Sequence, residues 1–275
     1  MTRWVLGIEY DGSCFGGFQR QAHATRPTVQ GVLERVLSRI ADHEVTVQCA
    51  GRTDAGVHAT GQVVHFDTTS ERPDRAWLQG GNSLLEPGIA IHWARPLSED
   101  FHARFSAQWR RYRYLMTDRA PRQALLRDRV ATVRGRLDAQ RMHAAAQALV
   151  GEQDFSAFRA AGCQSRHAVR EVQAVSVVRA GPLVCVDIRA NAFLQHMVRN
   201  ITGSLIRIGQ GRAEEGWIGE LLAARDRTLA GDAAPPEGLY LVEVGYAPAW
   251  GLPAATGAGL PMPSALLGDA GAVRT

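Results

Sequence analysis

Lysine is absent from the chain: all 31 basic residues are arginine. Arginine forks onto phosphates and stacks on flat rings where lysine acts as a point charge. GC-rich coding produces the same bias, and the abundant alanine and glycine agree with that origin. Cysteine is scarce, with Cys14, Cys49, Cys163 and Cys185 far apart, no C-x-x-C pair and no histidine at ligand spacing. This argues against a structural zinc site and a disulfide scaffold, and fits a reducing cytoplasm. A strong charge of either sign is also missing: the net charge is +4, compatible with a nucleic-acid partner without demanding one. No stretch reads as a membrane span. Residues 244–268 carry no formal charge, but Pro248, Pro253, Pro261, Pro263 and five glycines interrupt any helix there. Residues 247–275 are therefore expected to be a disordered Pro/Gly/Ala-rich tail. The N-terminus turns acidic too soon, at Glu9 and Asp11, to be a signal peptide.

What is present is the composition of a soluble globular protein: 275 residues, 45% hydrophobic and 21% charged, enough for one large domain or two ordinary ones. "WVLGIEY" alternates as a strand, with Trp4, Leu6, Ile8 and Tyr10 on one face. After a Gly-rich loop, Val29, Val32, Leu33, Val36, Leu37 and Ile40 form one helical stripe, with Thr28 as its N-cap. "VTVQCA" and "GQVVHFD" read as strands, 74–83 as a helix and "IAIHWA" as a strand. The order then recurs: "WRRYRYLM" is a strand, Asp138 caps a helix through Val150, and "EVQAVSVV" and "LVCVDIRA" form a hairpin. Residues 192–208 are a helix, about 214–224 a shorter one, and "GLYLVEVGY" closes the unit. Two βαββαβ orders predict an α+β fold of two ferredoxin-like, RRM-like domains with mainly antiparallel sheets and a cleft between them. The expected domains are 1–104, 105–246 and the tail 247–275. Such sheets can leave one face open for RNA.

Three groups of residues are candidates for chemistry. Asp54 lies in "CAGRTDAGVHA", between Gly51 and Gly56, with Arg52 before it and His58 after it. An Asx-type turn explains the pattern; so does a functional carboxylate, given the crowding of ionisable groups between strands. A metal site of Asp54, His58, His65 and Asp67 is conceivable but matches no familiar ligand spacing. Tyr112 and Tyr114 share a strand face with Met116, framed by Arg111 and Arg113, as a stacking platform or as packing under a helix. On the 192–208 helix, Gln195, His196, Arg199, Asn200 and Gly203 form a polar wedge. Gly203, a poor helix residue, implies a close approach there.

Taken together, these segments resemble one family over about residues 3–246. "YDGSCFGGFQRQ", "TVQGVLE", "AGRTDAGVHATGQVVHF", "FHARFSA", "RRYRYLM", "CQSRHAVREV", "ANAFLQHMVRNITGSL" and "GLYLVEV" occur in the order of the tRNA pseudouridine synthase A family. The resemblance implies isomerisation of uridine to pseudouridine at positions 38, 39 and 40 of the tRNA anticodon stem-loop, by a cytoplasmic homodimer needing neither cofactor nor metal. It implies Asp54 as the catalytic nucleophile, Tyr112 as the residue stacking on the target base (with a possible part in removing the C5 proton) and Arg199 as the carboxylate's partner. Arg52 and His58 fall to RNA binding, Arg52 displacing the target nucleotide. Departures are Glu86, where proline is usual, and Gln195, where histidine is common. The rival readings are a non-catalytic tandem RRM-like RNA-binding protein and, more distantly, a metal-dependent hydrolase.

Overall fold

The computed structural model describes residues 1–21, 25–119 and 124–253. Together they make an α+β fold, mostly of antiparallel strand pairs, that divides into two compact units. The first unit contains Met1–Arg113, Arg189–Ala192 and the stretch beginning at Pro235; the second contains Tyr114–Ile188 and Phe193–Ala234.

In the first unit, strand β1 (Thr2–Tyr10) turns Trp4, Leu6, Ile8 and Tyr10 inward, all buried as the alternation predicts. Helix α1 (Val29–Ala41) starts at Thr28, whose Oγ1 accepts from Gly31 N at 3.3 Å, and buries Val29, Val32, Leu33, Val36 and Leu37. Strands β2 (Gln48–Cys49) and β3 (His58–Thr68) bracket the glycine-bounded motif. The helix expected at 74–83 is present but underwound into a π-type segment, Ala76–Gly80, before helix α2 (Gly81–Leu84). The π segment drives Trp77 into the core, where its ring lies 5.7 Å from Trp4 and 5.0 Å from Phe66. Strand β4 (Ile89–Leu97) pairs with β1; the order is β4-β1-β3, with β2 on β3, every pair antiparallel.

Strand β5 (Ala107–Thr117) enters the second unit after Arg113. Strand β6 (Ala131–Thr132) is short, and helix α3 (Ala139–Ala146) is capped by Asp138, whose Oδ1 accepts from the backbone of Gln140 and Arg141. Strand β7 (Gly151–Asp154), which the periodicity did not show, pairs with the hairpin of β8 (Val169–Ala180) and β9 (Leu183–Ala190), in the order β5-β9-β8-β7. Helices α4 (Met197–Gly209) and α5 (Trp217–Ala224) follow, then strand β10 (Leu239–Tyr246). Helix α4 starts five residues later than expected, because His196 has a left-handed φ of 60° that ends any helix before it.

Strand β10 lies between β3 and β5 and is parallel to β3 at Tyr240–His58. The sheet face opposite the helices, read as able to stay open, is covered around β1: Val5 is fully buried, and the Trp93 indole fills the space over Gly7. The tail expected from 247 begins as ordered structure. Trp250 ends a 3-10 turn, and its ring meets Phe101 edge-on at 5.2 Å. Residues 254–275 of the expected tail lie outside the described residues. Among the described residues no helix is long and apolar enough to cross a membrane, and all four cysteines are free.

Candidate active site

The Asp54 loop is held from beneath by polar groups. Thr53 Oγ1 meets the buried Tyr10 hydroxyl at 2.8 Å, and Gln62 Nε2 donates to that hydroxyl at 3.3 Å and to Gly51 O at 2.6 Å. Gln62 is fully buried in β3, so its amide has no water to fall back on and keeps these bonds. The Thr53 carbonyl accepts from Phe18 N at 3.0 Å, and Val57 N closes a turn onto Asp54 O at 3.1 Å. Gly17, with φ 103°, lies directly against this backbone; a Cβ there would come within 3.1–3.3 Å of Thr53 O, Ala55 N and the Asp54 carbonyl carbon. The loop is thus rigid where Asp54 leaves it. Asp54 itself is half-buried and Arg52 is exposed.

Tyr112, on β5, faces the same loop. A Cβ on Gly51 would stand 3.6 Å from its hydroxyl, and the ring is 8% exposed. Burial pushes the Tyr112 phenol up; Arg110 opposes this, and the Asp54 carboxylate adds to it. Tyr112 therefore stays a neutral phenol at physiological pH. Two residues back on the same strand face, Arg110 donates to four carbonyls: Ala107 at 3.1 Å, Asn191 at 3.0 Å, Ala50 at 3.1 Å and Arg104 at 2.6 Å. Ala50 immediately precedes the loop, so Arg110 ties its stem to β5. Sequence reasoning missed Tyr10, Gln62 and Arg110. A lone glutamine in the apolar run "GQVVHF" was the available signal for Gln62, and the shared parity with Tyr112 the signal for Arg110.

His58, assigned with Arg52 to RNA binding, is only 3% exposed. Its Nδ1 accepts from Gly12 N at 3.0 Å, and its ring stacks on Tyr240 at 4.6 Å. The Gly12 bond joins the turn after β1 to the start of β3.

In the second unit, Arg199 lies on α4, half-buried. Its Nε donates to Ala234 O at 2.7 Å, and its own carbonyl accepts from Ala234 N at 3.0 Å. Of the polar wedge, Arg199, Asn200 and Gly203 face the 227–234 segment, while Gln195 is exposed. Arg227 donates to Asn200 Oδ1 at 2.9 Å and Gly231 N to Ser204 Oγ at 3.1 Å. The close approach inferred from Gly203 is real: a Cβ there would overlap the Asp232 carbonyl oxygen. Among the described residues no group of three His, Cys, Asp or Glu side chains is placed to hold a metal ion.

A half-buried carboxylate on a rigid loop, with an aromatic ring against the same loop, describes a site for chemistry on a planar substrate. A family model for tRNA pseudouridine synthase matches residues 7–106 and 145–247. The chain belongs to the tRNA pseudouridine synthase family, whose members are isomerases that convert uridine to pseudouridine in tRNA. It is 56% identical over 251 residues to the tRNA pseudouridine synthase A of Shewanella amazonensis, covering 91% of this chain and 95% of that one. The protein of the same name from Aeromonas hydrophila is 55% identical over 251 residues (91% and 93% covered). That from Xanthomonas campestris pv. campestris is 53% identical over 252 residues (92% and 98% covered).

Proposed function

We propose that this protein isomerises uridine at positions 38, 39 and 40 of the tRNA anticodon stem-loop, with Asp54 as nucleophile. The observation that carries the reading is the fixed Asp54 loop with the Tyr112 ring turned onto it. The reaction breaks N1–C1′, rotates the uracil and joins C5 to C1′; C5 loses a proton and N1 ends with one. Atoms and electrons balance within the nucleotide, so the protein has to supply a placed carboxylate, a stacking surface and exclusion of water. Asp54 supplies the carboxylate, which can act at C1′, at C6 or through a glycal. A target uridine must leave its stack at a cost of a few kcal/mol. Arg52, exposed beside the carboxylate, displaces it, and the Tyr112 ring receives the flipped base. The neutral phenol of Tyr112 favours stacking over the part of a phenolate base for the C5 proton. Arg199 is proposed as the carboxylate's partner on the resemblance of its "MVRN" segment.

The antiparallel strand order β4-β1-β3-β2 supports reading the first half of the chain as ferredoxin-like, and the same reading is proposed for a second half over 105–246. A cytoplasmic homodimer is the assembly proposed with this activity. The test is tritium release from tRNA labelled at uridine C5, followed by mapping of the converted nucleotides. Conversion at 38, 39 and 40 is expected. Conversion confined to other arms overturns the positional assignment, and tRNA binding without release leaves only the RNA-binding reading.

A further inference from the structure

The loop between β4 and β5 is fastened at nearly every residue. Arg3, paired with Asp67 through two 2.7 Å bonds, donates to Phe101 O at 2.7 Å. His65 Nδ1 accepts from Ala103 N at 3.2 Å, and the Tyr246 hydroxyl donates to Ala103 O at 2.7 Å. Ser106 N donates to His102 O, and His102 N to Ser106 Oγ, both at 2.9 Å. Yet this over-determined loop holds Phe105 outward with 76% of its surface exposed. A phenylalanine left in water forgoes the stabilisation that burial gives its side chain. Rigid display of one aromatic ring therefore calls for a partner.

The surroundings of Phe105 indicate which partner. Three rings run outward in series: His65, 4% exposed; His102, 4.6 Å from it; and Phe105, 4.4 Å from His102. Burial lowers the pKa of both histidines, so the series is uncharged at neutral pH. The Arg104 guanidinium lies 5.6 Å from the Phe105 ring centre. The series also stands at a fixed place relative to the Asp54 loop. One Arg110 nitrogen donates to both Arg104 O and the carbonyl of Ala50, the residue before that loop.

We infer that Phe105 is a binding residue for the RNA, stacking on a nucleobase other than the one isomerised, with Arg104 on the adjoining phosphate. A base has a π face whatever its identity, so the contact tolerates sequence and adds affinity rather than base specificity. The inference rests on tRNA being the substrate held over the Asp54 loop.

The test compares Phe105→Ala, Phe105→Leu and Phe105→Tyr for tRNA Kd and for KM against kcat, with the molecular mass of each variant measured in solution. Phe105→Ala and Phe105→Leu are expected to raise Kd and KM about tenfold, the effect of removing one base–aromatic stack, with the loss falling on KM rather than kcat. Phe105→Tyr keeps the ring and is expected to bind like the original protein. If Leu binds as well as Phe, or if Ala binds as well as Phe, the inference fails. If Ala changes the assembly mass and Leu restores it, the side chain is an apolar protein–protein contact and the inference also fails. Failure of the underlying reading looks different: the unaltered protein itself then neither binds nor converts tRNA.

Discussion

Gly203 to alanine sets two physical effects against each other. In a helix interior the change ordinarily gains up to about 1 kcal/mol, because glycine gives up more backbone freedom. In α4 the added methyl would overlap the Asp232 carbonyl oxygen and stand 3.0 Å from its carbon and 3.4 Å from Ala234 N. These are backbone atoms, so no side-chain rotation relieves the overlap. Overpacking of this kind costs about 1–3 kcal/mol, and a backbone obstacle puts the cost at the upper end. Relief by peeling away the 230–234 segment breaks Ala234 N to Arg199 O, Arg199 Nε to Ala234 O and Gly231 N to Ser204 Oγ, at about 1 kcal/mol each. Both routes give a net loss of about 2 kcal/mol, and the second also frees Arg199 from its anchor. Urea unfolding should show a lower midpoint for Gly203→Ala, with kcat/KM for tRNA reduced as well. A variant as stable as the parent, or more so, refutes the reasoning.

Two further outcomes concern titrating groups. Burial holds the His65 pKa down to about 4, with His102 and Arg3 adding and Asp67 opposing, against about 6.5 in an unfolded chain. The unfolded state therefore binds the proton first: the contribution is complete above about pH 6.5 and is lost as pH falls towards 4, by at most about 3 kcal/mol. Unfolding free energy measured across that window should lose this slope in His65→Gln, and an unchanged slope would show that other groups cause it. Because Tyr112 is held protonated by burial and by the Asp54 charge, tritium release should show no rise between pH 8 and 10 that disappears in Tyr112→Phe. Such a Tyr112-dependent limb would mean that the phenolate, not the stacked phenol, takes part.

Much of this was legible in the sequence because local chemistry decided it. Thr28 and Asp138 cap helices through their own oxygens, and the α1 stripe is buried as its spacing requires except at its last member, Ile40, which is half-buried. Gly203 announced a close approach because glycine has no other purpose in a helix interior. The rest depended on partners distant in the chain. Nothing in "GLYLVEVGY" says which strand it lies beside, so its place between β3 and β5 was not readable. The left-handed His196 shortens α4 through a backbone conformation that side-chain periodicity does not report. His58 looked accessible in a polar motif. Its burial comes from Gly12 and Tyr240, one from the turn after β1 and the other from β10. Trp250 sat in a stretch whose composition reads as disorder, and the Phe101 ring, distant in the chain, is what it packs on.

The central claim is that the Asp54 carboxylate performs the isomerisation. It is tested most directly by Asp54→Asn, which keeps the size and most hydrogen bonds of the side chain but removes the nucleophile. Tritium release from C5-labelled tRNA should fall by at least about a thousandfold, while the tRNA Kd stays within a few-fold of the parent. Release that persists in the variant at a rate near the parent's contradicts the account.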